Sequence, residues 1–111
     1  ASISGYNNVA PANGIYGTSK SALSTYMKYA ALELAGKGIR CNAVQPGRIN
    51  TPLISNRLLS EEDVTKDIEQ YPMKRYGKPE EVAHAIIYLL SDASAWVTGT
   101  NLVIDGGRSL K

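Results

Sequence analysis

The sequence predicts an α/β fold that is incomplete on its own, and three observations carry that expectation. Apolar residues recur with helical period along Tyr16 to Leu34 and again after Pro79. Two short runs, Ile39 to Gln45 and Leu102 to Asp105, read as strands because each is apolar and is closed by proline or glycine. The 111 residues with 43% hydrophobic content fit one small domain, yet a pair of parallel strands between helices leaves a sheet edge unpaired. An open edge templates further pairing, so a missing segment or another copy of the chain is expected to cover it.

Taken in order, Ser2-Ile3-Ser4-Gly5 leads into a polar stretch, Tyr6 to Gly14, whose Asn, Pro and Gly residues read as loop. The first helix is predicted over Tyr16 to Leu34, with Leu23, Met27, Ala30, Ala31 and Leu34 on its buried side and Gly36 or Gly38 ending it. Ala22, Ala30, Ala31 and Ala35 are small enough to admit close packing, against the sheet or against a second helix. The strand from Ile39 ends at Pro46-Gly47, since proline lacks the donor that continues a ladder. Ligands of open parallel sheets bind beyond the carboxyl ends of strands, which puts a candidate site after Gln45, where Gly47 permits close backbone approach.

Leu53 to Leu59 reads as a flexible segment before a short helix capped by Ser60, with Glu61, Glu62 and Asp63 in its first turn. Lys78-Pro79-Glu80-Glu81 opens the next helix with proline and acids at its positive end, and Val82, Ala83, Ile86, Ile87, Leu89 and Leu90 give it a wide apolar stripe. Trp96 is expected to pack. Asn101 to Asp105, closed by Gly106 and Gly107, has the apolar character of a strand buried on both faces.

Composition excludes several classes of function. A net charge of +2 with 20% charged residues offers no basic tract for nucleic acid. The single Cys41 cannot form an internal disulfide and reads as a structural thiol in a buried strand. His84 is the only histidine and has no partner at ligand spacing, so a metal site is not expected. With no leader and no apolar run of transmembrane length in the sequence, no membrane partner is expected and the cytoplasm is the expected compartment.

Chemistry concentrates at Tyr16-Gly17-Thr18-Ser19-Lys20. On a helix, positions i and i+4 share a face, so an ammonium there sits beside a phenol and favours its ionised form. A positive neighbour thereby makes a general acid/base of a tyrosine.

That pair does not stand alone. Ser2-Ile3-Ser4-Gly5 precedes it; Asn42-Ala43-Val44-Gln45-Pro46-Gly47-Arg48-Ile49-Asn50-Thr51-Pro52-Leu53, Arg75-Tyr76-Gly77-Lys78-Pro79-Glu80-Glu81-Val82-Ala83 and Thr98-Gly99-Thr100-Asn101-Leu102-Val103-Ile104-Asp105-Gly106-Gly107 follow. In this order and spacing, from Ser2 to Gly107, the motifs resemble the short-chain dehydrogenase/reductase superfamily. The resemblance implies the C-terminal part of a doubly wound parallel-sheet (Rossmann-like) fold. The family's opening strand, Gly-x-x-x-Gly-x-Gly turn and helix, which hold a dinucleotide pyrophosphate, have no counterpart here, so residues 1–111 are expected to be its C-terminal catalytic half.

It further implies an oxidoreductase that uses NAD or NADP on a small alcohol or carbonyl substrate, with Tyr16 as general acid/base and Lys20 also holding the ribose. A serine polarises the substrate oxygen. Ser2 keeps the family's Ser-x-x-Gly spacing but lies one residue farther from Tyr16 than is usual, while Ser4 lies one residue nearer. A loop insertion is the cheaper change, which favours Ser2. Pro46, Gly47, Ile49 and Thr51 would meet the nicotinamide end, with backbone near Ile49 and the Thr51 hydroxyl on its carboxamide. Ile54, Leu58, Leu59 and Met73 would shape a lid, and Arg75 would pair with Glu81. Homo-oligomers, dimers or tetramers, are the expectation; the alternative is an inactive fragment that persists only as an oligomer.

Overall fold

The structure is a computed structural model that describes residues 1–55 and 60–111. Its elements run α1 (Gly14–Leu34), β1 (Ala43–Pro46), α2 (Pro52–Ser55), α3 (Glu61–Ile68), α4 (Pro79–Leu90) and β2 (Asn101–Ile104), with 3-10 turns at Ile3–Gly5, Ala35–Lys37, Asp92–Ser94 and Arg108–Leu110. β1 and β2 pair in parallel, Ala43 opposite Asn101 and Pro46 opposite Ile104. The predicted α/β class and parallel pairing are therefore observed.

α1 starts two residues earlier than predicted and ends as expected. After the turn Ala35–Lys37, Gly38 adopts φ 73°, a left-handed conformation that glycine takes without steric penalty. Its buried side carries Ser24, Met27 and Ala31. Leu23, expected in the core, is half exposed, because the face that meets β1 is centred on Ser24, whose Oγ accepts a 3.1 Å hydrogen bond from Nε2 of the buried Gln45. Gln45 Oε1 is buried without a partner, an unmet acceptor at this helix–sheet contact.

The first strand differs from its prediction. Residues 39–42 lie outside β1 and are held to the approach to β2 through side chains and through Gly99 N, which donates to Cys41 O at 2.7 Å. Arg40 Nη1 and Asn42 Nδ2 donate to Val97 O at 3.1 and 2.9 Å, Cys41 N donates to Thr98 Oγ1, and Asn42 Oδ1 accepts from Thr100 N. Cys41 is consequently half-buried and outside the strand. Pro46, expected to end the ladder, is its last residue. Ala43 N and Gly47 N donate to Thr100 O and Ile104 O, so the N–H groups directed at β2 belong to alternate residues, and the missing donor of Pro46 falls on the opposite edge.

β2 spans Asn101–Ile104, shifted one residue from the expected run, and is half-buried along its length because the sheet has only this pair of strands among the described residues. Ser60 caps α3 as predicted, its Oγ accepting from Asp63 N at 3.1 Å. In α4 only Leu89 is buried, and Ile87 and Leu90 face outward. Trp96 is fully exposed and packs on nothing, contrary to expectation, since Ser94 takes the buried position beside it and bonds to Leu89 O at 2.9 Å. His84 lies on an exposed helix surface, and no group of potential metal ligands forms among the described residues. No helix of the described residues is long and apolar enough to cross a membrane.

Candidate active site

Tyr16 and Lys20 project from one face of the start of α1, with Lys20 Nζ 5.2 Å from the centroid of the Tyr16 ring. The i,i+4 expectation holds in its geometry: cation and phenol are neighbours, in the range of a cation–π contact. Tyr16 is 47% exposed.

The serine segment is fixed against this helix by two glycines. A Cβ on Gly5 would lie 2.4 Å from Ser21 N and 2.5 Å from Lys20 C, and one on Gly17 would lie 2.8 Å from Ser4 O. Any larger residue at either position would force the Ile3–Gly5 turn away from the residues that carry Tyr16 and Lys20. Ser2 is buried and caps this turn, its Oγ accepting from Ser4 N at 3.2 Å. Ser4 packs its backbone carbonyl on Gly17. Sequence reasoning missed this interlock; its signal was a glycine in the serine motif and another inside the Tyr–Lys spacing.

The turn after β1 is held from two sides. Gly47 N donates to Ile104 O at 2.9 Å, and a Cβ here would come within 3.0 Å of Asp105, so the close approach that requires glycine is to Asp105 and Tyr71. Ile49 bridges to Gly77: Gly77 N donates to Arg48 O at 3.1 Å and Asn50 N donates to Gly77 O at 2.8 Å. In a trans peptide the carbonyl and the following N–H point in opposite directions. The N–H and C=O of Ile49 therefore both point away from Gly77, a donor and acceptor side by side, which is the pattern that a primary carboxamide complements. Thr51 O accepts from Ile54 N at the start of α2.

Around this turn, burial first, and then the hydrogen bond to Asp67, pushes the Tyr76 phenol above its ordinary range; burial likewise raises that of Tyr71. Arg75 and Glu81 pair as predicted through two hydrogen bonds, 2.8 and 2.6 Å. The arginine holds the Glu81 carboxyl down at about 2. Of the expected lid, Ile54 is half-buried and Met73 exposed; Leu58 and Leu59 lie outside the described residues.

The family model described as enoyl-(acyl carrier protein) reductase matches residues 1–109. Glucose 1-dehydrogenase 2 of Bacillus subtilis is 45% identical over 101 residues, which cover 90% of this chain and 38% of that protein. The chain belongs to the short-chain dehydrogenase/reductase family. A short-chain type dehydrogenase/reductase from Mycobacterium ulcerans superposes with a TM-score of 0.93 at 37% identity, covering all of this chain and 40% of that one. A 4-hydroxyisoleucine dehydrogenase complexed with NADH gives 0.94 at 32% identity, covering 100% of this chain and 45% of that one.

As a short-chain dehydrogenase/reductase, the chain spans about two fifths of the length of these relatives, and its α/β fold is part of a larger doubly wound one. The relatives are dehydrogenases and reductases, which gives the family an oxidoreductase role with a nicotinamide cofactor.

Proposed function

We propose that residues 1–111 are the C-terminal catalytic half of an NAD- or NADP-dependent oxidoreductase acting on a small alcohol or carbonyl compound. The observation that carries this reading is the placement of Lys20 Nζ 5.2 Å from the Tyr16 ring on an open helix face, beside a serine turn locked to the same helix. A bound nicotinamide cofactor supplies the hydride acceptor or donor. Tyr16 Oη donates a proton to the carbonyl oxygen, or takes one from the alcohol. Lys20 keeps positive charge at the ring and holds the ribose hydroxyls. The Ser2 hydroxyl donates a hydrogen bond to the substrate oxygen and so polarises it where negative charge develops. Pro46 and Gly47 shape the turn, and the backbone of Ile49 with the Thr51 hydroxyl holds the carboxamide.

Tyr16→Phe in the complete polypeptide tests the assignment. Turnover is expected to fall by about 10² to 10⁴ with an unchanged fold, and normal turnover refutes it. A second reading is favoured by the two-stranded sheet, whose β1 has a partner on one edge only among the described residues: the chain by itself is an inactive piece that persists as an oligomer. Titration of the 111-residue chain with NADH and NADPH separates the two, since binding supports an assembled site and no binding supports the inactive piece.

A further inference from the structure

One carboxylate oxygen ties α3 to the turn after β1. Arg48 Nη1 donates to Asp67 Oδ2 at 2.6 Å, and the Tyr76 hydroxyl donates to the same oxygen at 2.7 Å. The Arg48 guanidinium lies 5.8 Å from the centroid of the Tyr76 ring, and the rings of Tyr76 and Tyr71 meet edge to face at 5.9 Å. The backbone N–H of Arg48 donates to the Tyr71 hydroxyl at 3.2 Å. Both the main chain and the side chain of this single turn residue are therefore gripped by one cluster.

What the grip controls follows from the peptide geometry. Gly47 and Gly77 fix the flanks of the turn, and Arg48 lies between them, immediately before the backbone pair of Ile49. A charge-assisted hydrogen bond is short and directional. This one is partly buried, with the two side chains 35% and 23% exposed, so solvent screens it less than a surface pair. Its effect reaches Ile49 through one peptide unit.

We propose that Asp67 is a positioning residue for cofactor binding, acting through Arg48 to set the turn whose Ile49 backbone meets the nicotinamide carboxamide. The inference rests on the proposed function above. Its test is the dissociation constant of NADH and NADPH, read by nucleotide fluorescence on the complete polypeptide, for the parent, Asp67→Ala, Arg48→Met, the double variant and Asp67→Asn. Asp67→Ala and Arg48→Met are each expected to weaken the preferred nucleotide by about tenfold, the scale of a lost hydrogen bond to a charged group. The double variant should be little weaker than either single one, because both remove the same interaction. Asp67→Asn keeps an acceptor oxygen for Tyr76 and Arg48, and should recover part of the loss without disturbing the fold.

Thermal midpoints measured alongside separate positioning from stability. Lower midpoints with nucleotide affinities within twofold of the parent, for Asp67→Ala or for Arg48→Met, overturn the proposal. So do single effects that multiply in the double variant. A parent that binds neither nucleotide overturns the proposed function, and this inference with it, whereas a parent that binds while Asp67→Ala binds equally well overturns this inference alone.

Discussion

Substituting Gly5 by alanine probes the contact on which the site depends. The new Cβ would lie 2.4 Å from Ser21 N, 2.5 Å from Lys20 C and 2.8 Å from Lys20 Cβ, where ordinary contact begins at 3.4 Å. Two of these atoms are backbone, so no rotamer change relieves the overlap. The Ile3–Gly5 turn and α1 must separate by about 1 Å. Overpacking of this kind costs about 3 kcal/mol, the upper end of the usual range. In a complete polypeptide of about 250 residues that lowers the melting midpoint by roughly 6–12 °C. The same displacement moves Ser2 relative to Tyr16, and a misplacement of about 1 Å lowers turnover by about 10². Differential scanning calorimetry and initial rates read the two effects separately. Gly14→Ala is the control, because nothing lies within 4 Å of a Cβ there, and it should melt within a few degrees of the parent at full activity. Gly5→Ala melting and turning over like the parent would refute the interlock. Lost stability with full turnover would refute the link between this contact and catalysis.

Two further outcomes follow from the same geometry. Glu81 is held at about 2 against an ordinary 4.5 by Arg75 and by the Lys78 N–H that donates to its Oε2 at 2.7 Å. Because the folded value is depressed, its contribution is whole above the unfolded value and is lost as pH falls toward the folded one. Between pH about 4.5 and about 2 the parent's melting midpoint should therefore fall more steeply than that of Glu81→Gln. Gly38→Ala meets nothing within 4 Å but must adopt φ 73°, so chemical denaturation should report a loss of about 1–2 kcal/mol from conformation alone.

What the sequence disclosed was local. A four-residue spacing put Lys20 beside Tyr16 and Ser60 announced the start of α3, because each interaction spans four residues or fewer, while the pairing of Arg75 with Glu81 was legible through the family resemblance. The same chain misled wherever distant segments decide. The Ile39 run is apolar enough for a strand, yet Arg40 and Asn42 bond to Val97, 57 and 55 residues away, and displace the ladder to Ala43–Pro46. Leu23 has helical spacing with Met27, but the burial of Gln45 against Ser24 rotates the inner face of α1 away from it. The tie between Arg48 and Asp67 crosses 19 residues, and periodicity carries no record of it.

Pro46 has a consequence for assembly. With its missing donor directed away from β2, the proline leaves a notch in the outer rim of β1. A strand annealing there meets Ala43 to Gln45 normally but finds no N–H opposite one of its carbonyls. That carbonyl must turn to water, or the incoming strand must stop short, and its alignment is thereby keyed to the end of the sheet where the turn after β1 begins.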